Sequence, residues 1–352
     1  MILPCILFYL VAMPAQAGKQ ADPAQRMDRI AFASCAKPNQ PEAIWRSILA
    51  QEPDLFLFIG DNVYVDQPRR PKGVEDFERT YAQLASEPGW QKIKTRVPIL
   101  ATWDDHDYGL NDAGKEFALK KIAQEQFIKF YELPADSPVR EREGVYDAHV
   151  FGPEGQRVQV ILLDTRTFRD PLNRNPNGRV KGLGPYIAHT ETDSTLLGEA
   201  QWAWLEKQLE QPAELRIIAS SIQVIADEHG WETWGNFPHE RDRLFKLIDK
   251  KNARGVVFIS GDRHVTEISC DKGPGTPYAM WDFTSSGMNE GGNRLISEPN
   301  THRVGESRRT ANYGLFTIDW KTKTLTCTTR GKQGEVILQQ AVAFEELKAD
   351  AR

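Results

Sequence analysis

The sequence predicts an α/β protein built on mixed β-sheet, and three observations carry that expectation. Short runs of apolar, often β-branched residues, "RIAFAS", "DLFLFIG", "VPILATW", "VQVILLD", "RIIASS" and "GVVFISG", have the length and continuous hydrophobicity of buried strands. Helical patterns separate several of them, the alternation expected of strand–helix–strand units. Near the end of the chain, "NYGLFTIDW" followed by "TLTCTTR" reads as a hairpin-like pair, so antiparallel pairing is expected beside parallel.

Taken in order, the chain opens with "MILPCILFYLVAMPAQAG", an apolar run from Ile2 to Met13 followed by Ala15-Gln16-Ala17, the small-x-small pattern that signal peptidase reads. Residues 1–17 are therefore expected to be a signal peptide cleaved after Ala17, residues 18–27 a flexible N-terminal segment, and the mature protein periplasmic or secreted. Ile44, Trp45, Ile48 and Leu49 share one helix face. In "KEFALKKIAQEQFIKFYEL", Leu119, Ile122, Phe127 and Phe130 share another, with the lysines as a solvated face. Trp202, Leu205 and Leu209 mark a third helix, and Leu244, Phe245, Leu247 and Ile248 a fourth. No repeat or linker divides residues 27–343, so one domain is expected over residues 28–343, with 344–352 as a C-terminal tail. Two irregular stretches, residues 169–198 and 286–311, are rich in Gly, Asn, Pro and Arg; loops of that length are usually functional lids or disordered.

A chain of 352 residues with 40% hydrophobic content has enough apolar material for a sizeable core. Its 44 basic and 49 acidic residues leave a net charge of -5, which gives no broad attraction to nucleic acid or an anionic membrane. Beyond the leader no apolar run approaches the ~20 residues that span a bilayer. Cleavage removes Cys5 and leaves Cys35, Cys270 and Cys327, an odd number. Cys270 and Cys327 either pair or remain buried thiols, and at least one cysteine stays unpaired or binds something.

Polar residues gather where the predicted strands end, which is where open α/β sheets place ligand sites. Cys35 ends the first run. Asp61 and Tyr64 follow the second in "FIGDNVY", Asp104, Asp105 and His106 follow the third in "ATWDDHD", and Asp262 and His264 follow a later one in "FISGDRH". An Asp after a Gly is by itself usually a turn or cap, and a lone His usually structural. The set is different: carboxylates, a thiol, a phenol and imidazoles on strand-to-loop junctions match a two-metal hydrolytic site. There one carboxylate bridges two cations ~3.5–4 Å apart and a metal-polarised water attacks an ester in line.

The segments "FASC", "GDNVY", "WDDHD" and "SGDRH", in this order over roughly residues 28–330, resemble the PhoD-type alkaline phosphatases of the calcineurin-like metallophosphoesterase superfamily. "FASC" stands where most of the superfamily has an Asp-x-His opening. The resemblance implies a metallophosphoesterase-type mixed β-sheet sandwich flanked by helices, with metals at strand C-terminal ends. It implies that Cys35, Asp61, Tyr64 and His264 hold a first metal, Fe3+, and that Asp61 bridges to a second site completed by Asp105 and Asp262. Ca2+ is expected in that second site, with Mg2+, Mn2+ or Zn2+ as substitutes. His106 is implied as the group that contacts the phosphate and protonates the leaving oxygen, and Asn111 and Arg263 as further phosphate or supporting contacts.

The donor chemistry agrees with that assignment. Thiolate and phenolate suit a trivalent iron, and carboxylates suit a hard divalent cation. One thiolate, one phenolate and three carboxylates balance a trivalent plus a divalent ion when His264 is neutral. The expected activity is hydrolysis of small-molecule organic phosphate esters at alkaline pH. A phosphodiesterase or phospholipase D-like activity on diesters is the enzymatic alternative, and a non-catalytic metal or phosphate binder the other class; a proton donor such as His106 argues against the binder. Trp231, Trp234 and His229 either shape the cleft or pack a loop, Arg308 and Arg309 on the late loop are only weak candidates for contact with an anionic substrate, and His149, His189, His239 and His302 have no evident partner. The sequence does not set the oligomeric state.

Overall fold

The computed structural model describes residues 18–37 and 43–349; the expected signal peptide and residues 350–352 lie outside them. The first layer starts with β1 (Arg29–Ala33), α1 (Ala43–Ala50) and β2 (Leu55–Ile59), then runs through α2 (Val74–Ser86) and α3 (Pro88–Arg96) to β3 (Ile99–Thr102). These three strands pair in parallel. Strand alternation gives β2 two buried faces. Leu55, Leu57 and Ile59 turn into the centre of the molecule, while Phe56 and Phe58 turn outward onto Ile44, Trp45 and Ile48 of α1 and Trp90 and Ile93 of α3. The start of α3 is fixed by Pro88 and by Glu87, whose carboxylate accepts the amides of Gly89 (2.7 Å) and Trp90 (3.1 Å).

The chain continues through α4 (Asp105–Tyr108), α5 (Lys120–Phe130), β4 (Asp147–Phe151), β5 (Val158–Leu162), β6 (Asn173–Arg174), β7 (Tyr186–Ile187), α6 (Gly198–Leu209) and β8 (Leu215–Ala219). Then come α7 (Pro238–Lys250), β9 (Val256–Ser260), β10 (Thr266–Asp271), β11 (Met280–Ser285), β12 (Asn293–Leu295) and β13 (Arg308–Thr310). Apart from the β6–β7 ribbon, these strands form a second sheet in the order β12-β13-β10-β11-β9-β8-β5-β4. Its middle, β11-β9-β8-β5, is parallel and its margins are antiparallel. The last strands, β14 (Tyr313–Asp319), β15 (Thr324–Arg330) and β16 (Val336–Ala343), return to the first sheet, ordered β16-β15-β14-β1-β2-β3.

The two mixed sheets face each other. Phe32, Leu57, Ile59, Phe316 and Cys327 of the first and Val160, Ile217, Ile259 and Phe283 of the second share one core. The outer side of the second sheet, Ile161, Ile218 and Phe258, is covered by Trp202, Leu205 and Leu209 of α6 and Leu244, Phe245 and Ile248 of α7. This is the expected α/β fold with mixed sheets flanked by helices, and the predicted β14–β15 hairpin is present.

Some local expectations change. Leu119 is the N-terminal flank of α5 rather than part of it, though it, Ile122 and Phe130 are half-buried and pack with the buried Phe127 on one core cluster, inward as expected. Residues 18–27 touch the rest of the chain: the Lys19 amide donates to the Lys94 carbonyl (2.9 Å), the Gly152 amide donates to the Pro23 carbonyl (2.9 Å), and Met27 is buried. The expected tail begins with a 3-10 turn, Phe344–Leu347, whose Leu347 is buried and accepts the Gly255 amide (2.7 Å). The two irregular stretches carry the ribbons β6–β7 and β12–β13. Cys270 and Cys327 are free thiols on opposite sheets. Among the described residues, no helix is long and apolar enough to cross a membrane.

Candidate metal centre

Each candidate ligand lies within a few residues of the C-terminal end of a strand: Cys35 after β1, Asp61 after β2, Asp105 after β3, and Asp262 and His264 after β9. The chain turns sharply to put them there. Cys35 (φ 59°), Asp61 (φ 51°), Asp262 (φ 64°) and His264 (φ 53°) all occupy the left-handed region, which costs a residue with a side chain about 1 kcal/mol or more. Strain of that kind persists where the surrounding packing over-determines it. Gly60 (φ 112°) shows the packing: a Cβ there would sit 2.6 Å from the Cβ of Asp104, so the loops after β2 and β3 approach only because residue 60 has no side chain.

Cys35, Asp61 and His264 offer donor atoms that all lie within 4.8 Å of one another. Cys35 Sγ is 3.3 Å from Asp61 Oδ2, and the Tyr64 hydroxyl is 3.3 Å from that same oxygen and 3.3 Å from His264 Nε2. The four residues expected around a first metal are thus together. The residues expected around the second are linked through Asp105, which groups with Asp61 and His106 on one side and with Asp104 and Asp262 on the other, again within 4.8 Å. Asp104 belongs to this cluster although the sequence analysis gave it no ligand role.

The electrostatics fit cations. Burial pushes the Cys35 thiol up to about 11, the Asp104 carboxyl up to about 7, and Asp61, Tyr64 and Asp262 well above their ordinary values. Asp105 is the exception: burial also acts to raise it, but the neighbouring charges of His106 and Arg166 hold it below the usual carboxylate range. Burial, then the charges of Lys37 and Arg309, bring His264 down to about 4, leaving a neutral imidazole. One buried oxygen, Asp104 Oδ2, has no hydrogen-bond partner. A buried set of acids that repel one another and carry a spare lone pair is an arrangement positive ions stabilise.

His106 is held beside this cluster. Its Nδ1 lies 2.7 Å from Asp66 Oδ1, while Asp66 Oδ2 accepts the Asn111 amide at 3.0 Å, and its ring packs on Tyr64 with centroids 4.3 Å apart. Burial acts to lower the imidazole pKa, but Asp105, Asp61 and Asp66 carry it up to about 11, so the ring holds a proton. Asn111 thus reaches Asp66 through its backbone amide, and the residue is exposed. Arg263 Nη2 pairs with Glu298 at 2.6 Å, and its guanidinium lies 5.0 Å from the Trp231 ring centre.

The sequence matches the PhoD-like phosphatase family over residues 30–329. The chain belongs to that family. Alkaline phosphatase D of Bacillus subtilis (strain 168) is 23% identical over 319 residues, covering 78% of this chain and 53% of that protein, so the chain spans about half the length of this relative. A solved structure of PhoD superposes with a TM-score of 0.71 at 18% identity, over 92% of this chain and 70% of that one. GAP50, described as the anchor in the inner membrane complex of Plasmodium, superposes with a TM-score of 0.56 at 14% identity, over 93% of this chain and 90% of its own. A fold shared by proteins so differently described leaves the role to be argued from the site.

In this PhoD-like chain several supporting residues escaped sequence reasoning. Arg166, fully buried, pairs with Asp104 and reaches Glu232 Oε2 at 2.7 Å, and Arg169 flanks Glu232 at 2.9 Å. The signal was available in "VQVILLDTRTFRD", where charged residues directly follow a buried strand. Ser286 Oγ lies 3.1 Å from Cys35 Sγ, and Glu290 lies 3.2 Å from both His264 Nδ1 and Lys37 Nζ. Asp66, five residues after Asp61, had no pattern to mark it. Of the ambiguous loop, Trp234 packs inside with its Nε1 donating to Ser220 Oγ (2.9 Å) and His229 is buried, while the part-buried Trp231 ring lies between Arg179 and Arg263. The remaining histidines have partners: His149 with Asp147 (3.3 Å), His189 with Asn173 (3.1 Å), His239 with the Ser194 carbonyl (2.6 Å) and His302 with Asp271 (3.8 Å).

Proposed function

We propose that this protein is an exported, metal-dependent phosphoesterase that hydrolyses organic phosphate esters. In this reading one catalytic domain spans residues 28–343, with the metals at the C-terminal ends of β1, β2, β3 and β9. Cys35, Asp61, Tyr64 and His264 would hold Fe3+, since a thiolate and a phenolate together suit a trivalent ion. Asp61, Asp105 and Asp262, with Asp104 beside them, would hold Ca2+ or a similar hard divalent ion. Bound there, the two cations supply charge that stabilises an in-line displacement at phosphorus and activate the attacking water.

The chain's own residues do the rest. His106 donates a proton to the departing alkoxide oxygen, and Asp66 keeps the ring oriented by accepting from Nδ1–H, which leaves Nε2 as the nitrogen that faces the ester. The Asn111 amide keeps Asp66 in place. Arg166 balances Asp104, so the cluster carries the charge of its other ligands without an added unpaired carboxylate. Arg263, held to Glu298 and Trp231, shapes the cleft wall. The observation that carries the proposal is the His106–Asp66 pair at 2.7 Å beside the acid cluster, because a protein that only stores metal or phosphate has no use for an oriented proton donor.

Elemental analysis of the purified protein, with rates on a monoester and a diester before and after chelation, tests this. Stoichiometric iron and a divalent ion are expected, with activity abolished by chelation and restored by calcium. Full activity in protein shown to be free of metal would overturn the reading.

A further inference from the structure

The ribbon β12–β13 stands at the margin of the second sheet, and its register sets Arg294 directly opposite Arg309. Like charges facing each other across a ladder repel. Neither is neutralised: among the described residues no carboxylate pairs with either guanidinium, and the buried Nε of Arg309 has no hydrogen-bond partner. Their neighbours are treated differently. Arg308 pairs with Glu306 (2.7 Å), Arg303 with Glu267 (2.6 Å), Arg263 with Glu298 (2.6 Å) and Lys37 with Glu290 (3.2 Å). In a chain whose 49 acidic residues outnumber its 44 basic ones, an uncompensated pair of this kind is not a shortage of acids.

The ribbon also has a definite place. Arg308 registers with Thr266, two residues beyond His264. Successive strand residues turn to opposite faces, so Arg309 and its opposite number Arg294 share the face that Arg308 does not. Arg309 is half-buried and Arg294 exposed, which sets the pair from the neighbourhood of His264 out to solvent. The expected position of the scissile phosphate lies instead with Asp61, Asp105 and His106, on loops of the other sheet.

We propose that Arg294 and Arg309 form an anion subsite that receives a second phosphoryl group of the substrate, on the part of the molecule remote from the ester being cleaved. This rests on the phosphoesterase reading and adds a substrate class to it: esters that carry more than one phosphoryl group. Guanidinium forks match phosphate oxygens in pairs, and a dianion between two of them turns their repulsion into a shared attraction.

The test compares kcat/KM for glucose 1,6-bisphosphate and glucose 6-phosphate, using the metal-loaded enzyme and its R294Q/R309Q variant. The wild type is expected to favour the bisphosphate by on the order of tenfold, mainly through KM, the worth of one or two charged hydrogen bonds. The double variant brings the ratio close to one, whereas Arg308→Gln, which disturbs an already paired cation, leaves the ratio as in the wild type. A ratio that is the same in wild type and R294Q/R309Q overturns the subsite. If the loaded wild type cleaves neither sugar, nor the monoester and diester of the activity test, the phosphoesterase reading fails instead. The subsite is then decided by calorimetric binding of uncleaved glucose 1,6-bisphosphate, where about tenfold weaker binding by the double variant supports it and equal affinity overturns it.

Discussion

Asp66 shows how much a single side chain can decide. His106 has two ring nitrogens, and a proton donor works only if the correct one faces the substrate. The 2.7 Å contact between Nδ1 and Asp66 Oδ1 makes that choice, and the Asn111 amide on Oδ2 holds the carboxylate still. Asp66→Asn keeps the size of the side chain and removes its charge. Turnover is expected to fall ~10–10²-fold for alkyl esters, whose leaving oxygen needs a proton, and much less for nitrophenyl esters, whose leaving group does not. Metal content should stay at the wild-type level. Equal losses on both ester types would assign Asp66 a structural role. His106→Ala is expected to cost ~10²–10⁴ in turnover on alkyl esters with both metals retained; loss of metal would make His106 a ligand.

At the scale of elements, the centre depends on how β1 is clamped. The strand lies between β14 and β2, and Phe32, three residues before Cys35, sits opposite Gly314 of β14. A Cβ at residue 314 would come within 2.1 Å of the Phe32 ring, so the ring fills the space a side chain would take. Gly314→Ala is therefore expected to destabilise by ~1–3 kcal/mol through overpacking and, by shifting the strand that ends at Cys35, to lower retention of the metal proposed for the Cys35 site. Chemical denaturation and metal analysis check both; an unchanged denaturation midpoint would contradict the packing argument. The strands themselves were legible because buried parallel strands are continuous apolar runs, and β1, β2, β3, β5, β8 and β9 all read that way. β4, β12 and β16 did not, because an edge strand with a face toward solvent carries a mixed pattern; β16 has exposed and half-buried residues along most of its length.

For the whole molecule, the buried acids make stability depend on pH. Burial raises Asp104 to about 7 and Asp107 to about 8, from an ordinary value of 3.8. Between those values the folded protein holds protons that the unfolded chain has released. The stabilising contribution is fully present below the unfolded value and is lost as pH rises through the folded ones. Metal-free protein should therefore show a melting temperature that falls from about pH 4 to about pH 8. Calcium should oppose the fall at the upper end of this range, because a bound cation favours the charged carboxylates. A melting temperature that rises across the same range without metal would refute this.

The sequence by itself determined which residue types stand at the strand ends: "FASC", "GDNVY", "WDDHD" and "SGDRH" place a thiol, carboxylates, a phenol and imidazoles at junctions that α/β strands bring to one side of a sheet. It determined them because local hydrophobic periodicity sets strands and helices, and the residue following a strand is readable from the run before it. Only the tertiary structure decided which of these side chains meet, since the loops that carry the candidate ligands follow β1, β2 and β3 of one sheet and β9 of the other. It also decided the residues that support them. Asp66 on His106, Arg166 on Asp104, Glu290 on His264 and the facing pair Arg294 and Arg309 join positions with no common local pattern. Contacts of that kind depend on how the two sheets and their loops pack, which no window of sequence contains.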